Sequence, residues 1–165
     1  MIVAQVYIND IIFGLTKDEL VHNFSKLMQA EFEMSIIEEL THFLGFKIHQ
    51  QDSDIFLSQS KYARNLVKKF GLGSASSVRT PMSPNVKLTV DLLGKNVDSS
   101  LYKSMIGSLL YLTASRLDIS YSVGVCARHQ ANPKESRMIA LKRIIKYVKT
   151  TADFGVWYSK DTNDV

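Results

Sequence analysis

Cysteine is almost missing from this sequence: 165 residues contain one, Cys126. That excludes an intrachain disulfide and any metal site built on several thiolates, and it fits a reducing, intracellular setting. Proline is scarce too, and two of its three copies sit in the short TPMSP stretch around residue 82. No apolar run reaches the roughly 18 residues needed to cross a bilayer. The amino terminus lacks the basic segment of a signal peptide, and Asn9-Asp10 interrupts its apolar stretch. No membrane partner is expected. There is no internal repeat and no low-complexity segment.

What is present is ordinary for a globular domain: 45% hydrophobic and 22% charged residues. The charge balance is mildly basic, 20 Lys and Arg against 16 Asp and Glu for a net +4. Such an excess suits an anionic partner such as nucleic acid without requiring one.

Ile2 to Ile8 and Ile11 to Leu15 are rich in β-branched and aromatic residues and flank a polar pair, which predicts a hairpin turned by Asn9-Asp10. Asn tolerates the left-handed backbone that such a turn needs. Thr16-Lys17-Asp18-Glu19 reads as a capping box, followed by a helix burying Leu20, Phe24, Leu27 and Met28. His42 to Gln50 and Ile55 to Gln59 form a second predicted hairpin, turned by residues 51–54. Ser58 is a candidate cap for a helix from Lys61 to Phe70, stopped by Gly71 or Gly73. Residues 74–99, rich in Ser, Pro and Gly, are the expected linker. Helices then follow over Ser100 to Ala114, Ile119 to Gln130 and Lys134 to Lys149, the last capped by Asn132 with Pro133 in its first turn. Phe154 to Tyr158 reads as a strand ahead of a polar tail at 159–165. The expected class is α+β in front and helical behind.

Several stretches, in one order, resemble the reverse transcriptase of copia-type LTR retrotransposons. They are VYINDIIFG, FEMSIIEELTHFLGFKI, FLSQSKYARNLVKKFGL, the RTPM segment, YKSMIGSLLYLTASRLDISYSVGVCARHQANPKES and LKRIIKYVK with FGVWY. Together they cover Tyr7 to about Tyr158. The resemblance implies the carboxy-terminal half of a polymerase domain. Residues 1–73 would be a partial palm with a primer-supporting hairpin and the first thumb helix. Residues 100–158 would be a helical thumb and connection region.

In that family the first hairpin reads Tyr-Val-Asp-Asp, and its first Asp joins an earlier palm Asp in holding two magnesium ions. By position these acids fall on Asn9 and Asp10. Magnesium is a hard cation that wants charged oxygens at about 2.0–2.1 Å, and an amide offers one neutral carbonyl. Asp10 cannot simply substitute, because neighbouring strand residues face opposite ways. The chain starts inside a strand, so the resemblance implies a truncated copy without the fingers, the earlier palm Asp or the ribonuclease H module. Asp91, Asp98 and Asp118 do not match the missing motif. Leu117 and Thr150 depart from the Pro and Gly of the family pattern. The expectation is magnesium dependence in the family, not held by this chain alone, and no catalysis unless another chain supplies the front half.

Other candidates carry two readings each. Gly45 would let a primer backbone approach and Lys47 would meet a phosphate; alternatively the segment is a half-buried strand with a bulge at Gly45. Lys61, Arg64 and Lys68, spaced three and four apart on one helix, would track a nucleic-acid backbone or form a solvated face. Lys142, Arg143, Lys146 and Lys149 repeat the pattern on the last helix, with Ile139, Ile144, Ile145 and Val148 left for the core. Tyr7 would pack on a primer sugar or fill the hairpin face. His42 and His49 read as solvated or hydrogen-bonded, and Cys126 as a small core residue. Ser115 and Ser120 lack the context of a hydrolase nucleophile. Three functions result: an inactive reverse transcriptase fragment, a non-catalytic module for primer–template duplex, or a degenerate element copy with no selected role.

Overall fold

The computed structural model describes residues 2–15, 17–37, 39–51, 53–83, 91 and 94–159. The chain is mixed α and β and divides into two compact units, Met1–Leu40 and Thr41–Val165.

In the first unit, β1 (Ile2–Tyr7) pairs antiparallel with β2 (Asp10–Leu15), and α1 (Asp18–Glu31) follows. The register, Ile2 opposite Leu15 through Tyr7 opposite Asp10, leaves Ile8-Asn9 as a two-residue turn. The residue in left-handed backbone is Ile8, at φ 54°, rather than Asn9 as the sequence suggests. Helix α1 meets β2 through Phe13 and Phe24, whose rings lie 4.8 Å apart. Its inward stripe is Val21, Phe24, Ser25 and Met28, one turn apart on a helix face. The expected Leu20 and Leu27 flank this stripe and stay exposed, because among the described residues of this unit only the β1–β2 hairpin covers the helix. The helix starts after Lys17 with no side-chain cap; Thr16, the head of the expected capping box, lies outside the described residues.

The second unit combines a sheet of order β3-β4-β5-β6 with four helices. Strands β3 (His42–Phe43), β4 (Phe46–Gln50), β5 (Asp54–Ser58) and β6 (Gly155–Ser159) are antiparallel neighbours. Residues 42–50 are thus not one bulged strand. Leu44 and Gly45, both at positive φ (48° and 82°), turn a tight hairpin between β3 and β4, the sign pattern of a type I′ turn.

Helices α2 (Ser60–Lys69), α3 (Ser99–Leu112), α4 (Leu117–Ala127) and α5 (Glu135–Thr150) share one core. Its fully buried members include Ala63, Tyr102, Leu109, Ile119, Cys126 and Ile145. Gly71, at φ 66°, ends α2: its amide bonds the Lys68 carbonyl and the Leu72 amide bonds that of Val67, the paired bonds of a Schellman stop. Asp98 caps α3 by accepting from the amides of Ser100 and Leu101.

Two expected caps give way to other structure. Ser58 remains in β5, paired with Lys47 and Gly155, so the strand runs up to Gln59. Pro133 is held in an extended connection: its carbonyl accepts from Val97, and the Glu135 amide bonds Lys95, so α5 starts after Lys134 rather than after Asn132. Ile139, expected in the core, is 64% exposed. Among the described residues, no helix is long and apolar enough to cross a membrane.

Candidate nucleic-acid interface

Within the first unit the residues of interest gather at the hairpin tip. Asn9 occupies the turn and Asp10 opens β2 directly opposite Tyr7. All three are exposed; Tyr7 keeps 44% of its surface open, so its ring does not fill a hairpin face. Ile8 at the apex is 80% exposed. Among the described residues β1 hydrogen-bonds only to β2, and its apolar side chains Val3 and Val6 face solvent. The strand therefore presents a free edge, a template for further pairing.

Within the second unit, α2 is divided along its length. Ala63, Leu66 and Val67 enter the core, while Lys61, Arg64, Lys68 and Lys69 project outward. The three cations at positions 61, 64 and 68 share one face, as their spacing requires. Arg64 also forms an exposed ion pair with Asp153. Lys69 bonds the Ser108 hydroxyl at 3.4 Å and lies 5.1 Å from the Phe70 ring centre. The basic residues of α5 have more internal duties: Arg143 donates to the carbonyl and hydroxyl of Thr80, and Lys149 to the Ala75 carbonyl at 2.9 Å. These bonds fasten the 74–83 segment to α5 and occupy two of the four cations expected on its basic face, while Lys142 stays exposed.

Lys47 is exposed on β4. At Gly45 the close approach is internal: the Tyr111 phenol donates a 2.5 Å hydrogen bond to the Leu44 carbonyl, and a Cβ on Gly45 would lie 2.5 Å from the phenol oxygen. His42 and His49 sit on the exposed sheet face, within hydrogen-bonding distance of Thr41 and Gln51 respectively. Cys126 is fully buried; burial pushes its thiol up to about 11, with Arg137 and Tyr102 pulling the other way, so it is inert at neutral pH.

Residues 1–84, half of the chain, match the family described as reverse transcriptase (RNA-dependent DNA polymerase). The chain belongs to that family. The Retrovirus-related Pol polyprotein from transposon RE1 of Arabidopsis thaliana is 34% identical over 94% of this chain. That of tobacco transposon TNT 1-94 is 28% identical over 92%. An uncharacterized mitochondrial protein of Arabidopsis thaliana is 30% identical over 95% of this chain and 65% of its own length. The chain spans 11% of the RE1 polyprotein and 12% of the tobacco one. No solved structure matches.

Membership in the reverse transcriptase family brings an expectation of divalent metal, and the donor set can be tested against it. The hairpin tip offers one carboxylate, Asp10, and one neutral amide, Asn9. Among the described residues no three His, Cys, Asp or Glu side chains converge as a metal site would require. Two hard dications call for several anionic oxygens. This set does not fit them.

Two arginines escaped the sequence reading. Arg116, 1% exposed, joins the start of α4 to the end of α5; Arg137, 3% exposed, lies on α5 in line with Leu141, Ile144 and Val148. The second was discoverable, since its position four and seven residues ahead of core residues puts it on the apolar stripe. For Arg116 the local pattern carried no such signal.

Proposed function

We propose that this chain is the carboxy-terminal half of a copia-type reverse transcriptase polymerase region that engages primer–template duplex without itself transferring nucleotides. In this reading residues 1–73 are the end of the palm, the primer-supporting hairpin and the first thumb helix. Residues 74–99 form the linker, and residues 100–158 the thumb and connection.

The observation that carries the binding half is α2: a helix anchored in the core on one side and bearing Lys61, Arg64 and Lys68 in solvent on the other. Cations at that spacing can follow a phosphate backbone without reading its sequence. Asn9 carries the other half. Where the family pattern has an acid, this chain has a neutral carboxamide, and loss of a group acting mainly in the transition state lowers turnover severely.

Titration of a fluorescent primer–template with the purified protein tests binding. Affinity should fall steeply between about 50 and about 200 mM salt as phosphate contacts release counterions. Lys61→Ala and Lys68→Ala should each lower the salt slope by about 0.9. Arg64→Ala should change it less, because Asp153 already shares that charge. Salt-insensitive binding would refute the reading. Primer extension tests the chemistry: neither the natural chain nor Asn9→Asp should incorporate nucleotide, and incorporation by either would overturn the non-catalytic assignment.

A further inference from the structure

A cavity of about 270 Å³ opens in the second unit between the end of α4 and the start of α5, lined by Asp91, Arg128, His129, Asn132, Lys134 and Arg137. Arg137 is the unusual member. Its side chain is 97% removed from solvent, and among the described residues its guanidinium has no hydrogen-bond or ion-pair partner. An arginine keeps its charge at any relevant pH and carries five N–H donors. A guanidinium enclosed this far gains from any anion that reaches it.

Its described neighbours are engaged elsewhere. The Asp91 carboxylate feels the charges of Arg137 and Lys134, but its hydrogen bonds come from the Ser136 hydroxyl at 2.6 Å and the Gly94 backbone. Lys134 donates its ammonium to the Asn96 side-chain oxygen at 2.7 Å. Arg128 is exposed at the rim, at the carboxy-terminal cap of α4. Burial, together with Arg137 and Arg128, holds His129 below its usual range, so the imidazole is neutral at pH 7. Three cations thus face one carboxylate, which leaves the lining two charges in excess. It lies beside the first turn of α5, where backbone dipoles favour negative charge.

We propose that this cavity is a phosphate-binding site, with Arg137 as its buried anchor and Arg128 and Lys134 at its entrance. A carboxylate would neutralise only half of the excess and accept from one donor fork. A phosphate group brings the second charge and enough oxygens for Arg137, Arg128 and Lys134 together. The volume suits one phosphate with a few waters, at about 30 Å³ per water, and is small for a larger ligand. The proposal stands on the cavity alone and does not depend on the polymerase reading or on α2.

The probe is inorganic phosphate, added to the full chain at constant ionic strength with chloride as the balancing salt. Phosphate should raise the melting temperature over chloride, and the Arg137 Nε–H signal should shift in step. Arg128→Ala, an exposed change that leaves the core intact, should weaken phosphate by about tenfold. Arg137→Met should abolish the phosphate effect. If Arg137→Met does not fold, Arg128→Ala and the Arg137 signal decide. Equal melting in phosphate and chloride, or a phosphate effect unchanged by Arg128→Ala, would overturn the site. A short DNA duplex distinguishes the source. Duplex binding that phosphate competes away and Arg128→Ala weakens identifies a nucleic-acid backbone; phosphate binding with duplex binding indifferent to Arg128 identifies a free phosphate. Loss of duplex binding through Lys61→Ala and Lys68→Ala concerns the α2 face and leaves this result untouched.

Discussion

The Arg116 guanidinium grips the Asp118 carboxylate with two parallel hydrogen bonds, Nε to Oδ1 at 2.9 Å and Nη2 to Oδ2 at 2.8 Å. Its remaining donors reach the Thr151 carbonyl and hydroxyl, each at 2.7 Å, and the rings of Tyr147 and Phe154 lie 5.8 and 5.3 Å from its centre. One buried side chain therefore ties the start of α4 to the turn that leads into β6. Removing it leaves the Thr151 carbonyl without that donor and the partly buried carboxylate with the Tyr147 hydroxyl but no countercharge. Arg116→Met should cost about 3–5 kcal/mol, the penalty for breaking a buried pair from one side, read as a lower urea midpoint at unchanged m-value.

The same pair sets an acid limit on stability. Burial alone would raise the Asp118 carboxyl, but hydrogen bonds from Arg116 and Tyr147 outweigh it and hold it below the usual carboxylate range. A carboxyl with a lowered folded pKa binds its proton less well folded than unfolded. Its contribution is complete above the unfolded value of about 3.9 and fades as pH falls through the folded one. Urea midpoints measured from neutral pH down to strong acid should drop below pH of about 4, and Asp118→Asn should flatten that drop. An acid limb identical in the two proteins would show that Asp118 does not contribute to it.

A third prediction concerns Gly45. Its left-handed φ disfavours any side chain, and an added Cβ would press on the Tyr111 phenol oxygen. Gly45→Ala should cost about 1–3 kcal/mol, and Tyr111→Phe about 0.5–1.5 kcal/mol for the lost bond to Leu44. The double variant should be less destabilised than the sum, since Phe removes the oxygen that the new methyl would strike. Thermal or urea unfolding of the three variants measures this coupling; strict additivity would mean that the methyl meets something else.

These two sites show where reading the sequence stops. The Gly71 stop, the strand at 155–159 and helices α3 to α5 were legible because each has a local cause: a glycine after an amphipathic run, a short β-prone run with Val156, Trp157 and Tyr158, a 3.6-residue apolar period. The turn at Leu44-Gly45 was not, since Leu gives no hint of left-handed backbone and the segment reads as one alternating strand. Pro133 looked like a helix start until residues 95–97 were found paired beside it, a contact 38 positions away in the case of Asn96 and Lys134. Arg116 and Arg137 were hidden for the same reason. Arginines usually mark surface, and only tertiary structure reveals which are enclosed. At the hairpin tip the sequence indicated Asn9-Asp10 as the exposed polar pair, but placed the backbone strain one residue too late.

That strain yields the last prediction. Ile8 is β-branched, sits at φ 54° and is 80% exposed, so it bears the steric cost of left-handed backbone with little burial in return. Left-handed geometry costs an ordinary residue about 1–2 kcal/mol, and glycine returns about 0.5–1 kcal/mol of that through its looser unfolded chain. Ile8→Gly should therefore stabilise the β1–β2 hairpin by about 0.5–1 kcal/mol. Amide hydrogen exchange at Val6 and Ile11, which pair across the turn, should slow by about two- to fivefold. Asn9→Asp, at a turn position without positive φ, should leave the same amides unchanged. Unchanged or faster exchange in Ile8→Gly would show that the strain does not lie at Ile8, and the tip would then have to turn with a backbone different from the one described.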